Sequence, residues 1–276
     1  MARTARIKSI GEGTAYYHLV SRASNRQFLF RKSAQKDKLA DLARRAAEFS
    51  GIKLIAFAIM DNHYHILCRV TRSGEPVPQE EIVRRVAILK GEKDASELSE
   101  RWGELAAAGF TATLDAELGR YRARMNDISA FMKTMKELFA IWYNREYGYS
   151  GSIWSGAFKS TMVERGRYLE YCRRYIMMNP VRAGIVSQVN AYRWAWGEKP
   201  DEMEGFAGCL PEGWSVAARV VQIGAGKLFG SEEFVRRWIG GLGEKFPAAR
   251  TAAHAVGEIG FSSHGWRLAK KAEKAA

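Results

Sequence analysis

An α+β fold is predicted by three observations along the 276 residues. A run rich in β-formers at 14–22 is followed by a helical apolar repeat that opens at Ser33. Two apolar stretches, 52–60 and 64–70, come next, split only by the turn-forming pair Asp61-Asn62. Two further amphipathic repeats, beginning at Asp127 and at Arg167, follow later in the chain.

Each element has a local reason. TAYYHLVSR at 14–22 is dominated by β-branched and aromatic residues and reads as a strand. Leu39, Leu42, Ala43, Ala46 and Ala47 recur at helical spacing, and Gly51 stops that helix. The stretches on either side of Asp61-Asn62 read as two strands in tight connection, so the order is strand, helix, strand, strand. Residues 71–125 open with Gly74, Pro76 and Pro78 and carry helical stretches at 79–90 and 95–107. They hold ten acidic and nine basic residues and read as a charge-balanced helical insertion, a scaffold or dimer element. Ile128, Phe131, Met135, Leu138 and Ile141-Trp142 predict a long helix from Asp127 to Tyr147, with a loop at Gly148–Gly151. Residues 153–164 read as a short strand or extended segment. A second amphipathic helix is expected over Arg167–Met178, ended by Pro180. Beyond about 189 the texture turns loop-rich, with helical stretches at 214–229 and 231–240. The organisation expected is a catalytic domain over 1–190, including the insertion, and an extension over 191–276 with a basic tail at 267–274.

Composition narrows the function. With 43 Lys+Arg against 30 Asp+Glu the formal net charge is +13, and all of it lies outside the insertion, which is itself −1. A basic excess of this size fits a polyanionic partner, most commonly nucleic acid. No apolar run approaches the roughly 20 residues that span a bilayer, and no secretory signal core precedes the first strand, so no membrane role is expected. Cys68, Cys172 and Cys209 are widely spaced, which argues against a disulfide scaffold and for a reducing, cytoplasmic setting.

Two groups of residues carry chemistry. His63 and His65 flank Tyr64 on a strand, so their imidazoles share one face and can hold a divalent metal through neutral ring nitrogens. The alternative is a pair of polar residues on the wet face of a half-buried strand. Cys68 is read as continuing the histidine face, which opens a zinc site and with it a zinc-stabilised structural role. Tyr175 and Asn179 stand four apart and share a helix face. A tyrosine hydroxyl is a competent nucleophile when its proton loss is assisted, and a carboxamide oxygen can ligate a metal. The alternative packs Tyr175 with Tyr168, Tyr171 and Cys172 in an ordinary core.

YHLVSR at 17–22, DNHYHIL at 61–67, SGSIWSGAFKS at 150–160 and YLEYCRRYIMMNPVRAGIV at 168–186 together resemble the single-tyrosine HUH transposases. The similarity is greatest to their REP-associated tyrosine transposase branch and covers about residues 14–70 and 126–190. The resemblance implies a ferredoxin-like palm, an antiparallel sheet with helices on one face. It implies His63, His65 and Asn179 as ligands of Mg or Mn, and Tyr175 as the nucleophile. The implied activity is cleavage and rejoining of single-stranded DNA near REP-like hairpins through a 5′-phosphotyrosine intermediate. The implied setting is a bacterial cytoplasm, associated with the nucleoid, for a monomer or homodimer. Lys159, Arg173, Arg174 and Arg182 lie near these motifs as candidate phosphate contacts, and Trp154 and Phe158 as candidate base-stacking rings. For each, a solvated charge or a core aromatic is the alternative. A domesticated binder of structured single-stranded DNA or RNA that does not cleave is the competing function.

Overall fold

β1 (Gly13–Arg22) pairs antiparallel with β3 (His63–Arg72) on one side and with β4 (Lys159–Val163) on the other. β2 (Ile52–Ile59) pairs antiparallel with the far edge of β3. The computed structural model describes residues 12–198, 216–223, 226–242, 255–262 and 265–268. α1 (Ser33–Ser50) connects β1 to β2, and α5 (Ile128–Tyr147) precedes β4. The spatial order β2-β3-β1-β4, with every neighbour antiparallel, is the ferredoxin-like palm.

Period-two alternation gives the sheet two apolar faces. Tyr17 and Leu19 of β1 and Tyr64, Ile66 and Cys68 of β3 meet Leu39, Leu42 and Ala46 of α1 and Phe131, Met135 and Phe139 of α5. The opposite parity, Tyr16 and Leu67, meets Leu169, Cys172 and Ile176 of α6 (Arg167–Arg182). The pair α1/α5 therefore covers one face, as expected, and α6 covers the other. A register shift between Leu54 and Ala56 keeps β2 consistent with both cores. It lets Ile52, Phe57 and Ile59 face α1, while Ile55, Ala56 and Ala58 face α6.

Gly51 closes α1 in the left-handed region at φ 64°, and a Cβ there would sit 2.5 Å from Arg85 Nη1. α6 runs through Pro180 to Arg182 and does not stop before it. Pro180 lacks the N–H that would reach the Ile176 carbonyl. The Asn179 side-chain amide donates to the Tyr175 carbonyl at 2.9 Å and to the Ile176 carbonyl at 3.4 Å. The carboxamide thus supplies the donor that proline lacks, which is why the expected end at Met178 is passed.

The insertion folds as α2 (Gln79–Lys90), α3 (Glu92–Ala107) and α4 (Thr111–Arg122). The third helix escaped the sequence reading because only Leu118 of α4 is buried, so no apolar stripe marks it. Arg45 of α1 donates to the carbonyls of Ile88 (2.9 Å) and Leu89 (2.5 Å) in the last turn of α2. Buried Trp102 donates to Glu117 at 2.9 Å, tying α3 to α4.

Strands after residue 190 extend the palm on both edges. β5 (Ala195–Gly197) pairs with β2, and β7 (Gly226–Gly230) pairs in parallel with β4. β6 (Val216–Ile223), β8 (Ala255–Ser262) and β9 (Gly265–Leu268) complete a nine-stranded sheet, with α7 (Glu232–Leu242) after β7. The helix expected at 214–229 is thus replaced by two strands. Its Val216, Val220, Val221 and Ile223 are β-branched, and that preference prevails over their helix-compatible spacing. Cys209, Pro200, Pro211 and the tail beyond Leu268 lie outside the described residues. Among the described residues no helix is long and apolar enough to cross a membrane.

Candidate active site

The pairing register decides which side chains meet. His63, His65 and Leu67 point to the α6 face, and so do His18, Val20 and Arg22 of β1. His65 stands opposite Val20 and Ala58, and Val20 stands opposite Lys159. Arg22 is paired with His63 at the open end of the strands. Small Ala56 and Ala58 leave room beneath α6, and Gly197 does so on β5, where a Cβ would sit 2.6 Å from Met177 Sδ.

The sequence-predicted histidines come together, with ring centroids 5.1 Å apart. His63 Nδ1 donates to Asn62 Oδ1 at 2.6 Å. His65 Nδ1 is 2.8 Å from Nε2 of buried His18, and those two rings stack at 5.1 Å. Burial disfavours the charged imidazolium at all three positions. His63 is lowered to about 4, with Arg22 adding to the effect, and His18 to about 3. His65 falls well below its ordinary value, through burial and then the neighbouring rings and Arg22. These are neutral imidazoles at physiological pH, the form that can ligate a metal.

Tyr175 projects from α6 onto this group. Its ring lies edge-on to His65 at 5.8 Å and to His18 at 6.2 Å. The Arg182 guanidinium stands 5.3 Å from the ring centroid. Burial raises the phenol's pKa, while Arg182 and Arg22 pull it down. The competing tyrosines point elsewhere: Tyr168 packs edge-on against Phe229 of β7 at 5.4 Å, and Tyr171 lies 6.2 Å from the same ring. Asn179 is turned back on its own helix and is hydrogen-bonded to neither histidine, so Oδ1 is the end left for a ligand.

The other sequence candidates separate. Lys159 is exposed on the histidine face, two strands from His65. Arg173 and Arg174 are both held by buried Glu170, Arg173 through two 2.7 Å bonds. Trp154 donates Nε1 to the Lys136 carbonyl and packs against Phe30, Tyr64 and Phe139, and Phe158 is buried in the same core. Cys68 corrects the zinc reading. Five residues from His63 is an odd step, so its thiol faces the α1/α5 core, buried, near the Tyr17 carbonyl. Among the described residues no group of three or more His, Cys, Asp or Glu side chains could hold a metal ion. Arg22 and His18 escaped assignment although YHLVSR contains both. Their shared parity on β1, facing the same way as the HxH pair once the strands are registered, is the signal that finds them.

Residues 13–107 match the IS200-like transposase family. That segment includes His18, Arg22, His63 and His65, and ends before Tyr175. No curated protein matches the chain. Among solved structures, one of a REP-associated tyrosine transposase bound to a REP hairpin is 14% identical, with a TM-score of 0.42, covering 74% of this chain and 96% of its own. A candidate transposase from Deinococcus radiodurans R1 is 17% identical, with a TM-score of 0.28, covering 62% of this chain and 95% of its own.

Proposed function

We propose that the protein is a metal-dependent tyrosine transposase that cleaves and rejoins single-stranded DNA beside hairpins. The observation that carries this reading is the edge-on approach of the Tyr175 ring to His65, on a face that also bears His63 and Arg22. His63, His65 and Oδ1 of Asn179 are the groups that would hold Mg or Mn. The donor set suits it: two neutral imidazoles, each with Nδ1 occupied, so that Nε2 is left for a ligand. A bound divalent ion would polarise a non-bridging oxygen of the scissile phosphate.

The chain's own residues do the rest. Tyr175 enters as the neutral phenol, since burial holds its proton on Oη. As Oη attacks phosphorus its proton passes through solvent to the departing 3′ oxygen, and Arg182 and Arg22 offset the negative charge that develops on the phenolic oxygen. The bond from phosphorus to the 3′ oxygen breaks, and that oxygen departs as a hydroxyl. A 5′-phosphotyrosine remains, which an incoming 3′ hydroxyl can attack to re-form a phosphodiester and free Tyr175. Lys159 and Arg22 are the exposed cations on this face suited to backbone phosphates.

The test incubates the protein with single-stranded oligonucleotides carrying REP-like hairpins, plus Mn. Wild type should give a protein–DNA adduct resistant to denaturation, and Tyr175→Phe should give none while still binding the oligonucleotide. Binding without cleavage by wild type under any divalent metal would favour the non-cleaving binder.

A further inference from the structure

His18 is a buried polar side chain, 2% exposed, that the transfer chemistry above does not use. It lies on β1, between the two strands that carry His65 and Lys159. Directly across from it are Leu67 and Thr161, yet its ring leans diagonally and stacks on His65 with an interplanar angle of 15°. Nε2 of His18 is 2.8 Å from Nδ1 of His65. A buried histidine in this position has chemical consequences for its neighbour.

A neutral imidazole carries one proton, on either nitrogen, and only the bare nitrogen can ligate a metal. For His63 the choice is made by Asn62, whose Oδ1 can only accept, so the proton sits on Nδ1 and Nε2 is bare. His65 has no carbonyl or carboxylate on Nδ1; it has His18 Nε2 instead. We propose that His18 is a positioning residue that accepts the Nδ1 proton of His65, fixing that ring's plane and leaving its Nε2 bare for a divalent cation. Each histidine of the HxH pair then has its own orienting group, an amide oxygen for His63 and an imidazole for His65. Such outer partners commonly account for 10–100-fold in metal affinity. Because the partner is another neutral ring and not a carboxylate, no anion is added beside the scissile phosphate. The T-shaped contact of His18 with Tyr175 at 6.2 Å makes the same ring a wall of the nucleophile's position.

This inference rests on reading His65 as a metal ligand, and the test separates the two. Mn affinity is measured by electron paramagnetic resonance titration of the full chain without DNA, at neutral pH, alongside thermal melting. His65→Ala should bind Mn far more weakly than wild type; equal affinity would overturn the ligand reading itself. His18→Phe keeps a ring of similar size but offers no nitrogen, and its Mn affinity should fall about 10–100-fold with melting unchanged or raised. His18→Gln places an amide oxygen near the lost Nε2 and should return the affinity to within a few-fold of wild type. His18→Asn stops short, near the position of Nδ1, and should not. That Gln/Asn contrast decides the matter even if the Phe variant does not fold. Wild-type affinity in His18→Phe, or equal affinities in the Gln and Asn variants, would reduce His18 to a packing residue.

Discussion

At the site, neutrality and parity do most of the work. His63 and His65 are two apart on β3, which alternation alone puts on one face, and β1 adds His18 and Arg22 to it. His63→Ala or His65→Ala should abolish cleavage and strongly weaken Mn binding but leave most single-strand affinity, because phosphate contacts supply most of that affinity. A parallel loss of both in a filter-binding assay would mark the histidines as structural. Glu170 belongs to the same scale. Burial pushes its carboxyl up, but the hydrogen bonds from Arg173 and Arg174 outweigh this and hold it below its ordinary value of 4.5. A depressed folded-state pKa contributes stability above the unfolded value and loses it as pH falls through the folded one. The Tm of Glu170→Gln should therefore lie below wild type at pH 7, and the gap should close as the pH drops below 4.5.

At the scale of elements, α5 and α6 show what local sequence can and cannot say. Asp127 caps α5, its Oδ1 accepting from the backbone N–H groups of Ser129 (2.7 Å) and Ala130 (2.9 Å). Asp127→Ala should cost about 1 kcal/mol in a urea titration. That helix, α1 and the strands on either side of Asp61-Asn62 were legible because apolar period and punctuation agree there. The end of α6 was not, since the rule that proline stops a helix omits a side chain that replaces the lost donor, as Asn179 does. α4 was invisible for want of a stripe, and β6/β7 because short apolar runs fit both periods. The HxH pair and the tyrosine helix were legible from motif and spacing. Their two partners on β1 were not, because only strand register, a long-range property, turns His18 and Arg22 toward them. The packing of Trp154 and Phe158 against the α5 core was hidden for a related reason: burial is set by long-range packing, not by proximity in sequence.

Over the whole molecule, charge is unevenly useful. On α2 of the insertion two arginines are already paired: Arg84 with Glu81 and Glu48, and Arg85 with Glu81. Reversing Arg84 and Arg85 should leave the salt dependence of single-strand binding nearly unchanged. Lys159→Ala should reduce the slope of log affinity against log salt by about 0.7 if that lysine neutralises one phosphate. The reverse ranking in a salt titration would move the DNA path onto α2. The residues proposed for cleavage, by contrast, lie together on one face of the sheet, and the three tyrosines of α6 offer the clearest discrimination. Tyr168 and Tyr171 face Phe229, whereas Tyr175 faces the histidines. Peptide mapping by mass spectrometry of the covalent adduct formed with a REP-like hairpin strand is the most direct measurement of the central claim. The account predicts a nucleotide attached through a 5′ phosphate to Tyr175 and to no other residue. Attachment at Tyr168 or Tyr171, or cleavage with no adduct at all, would contradict it.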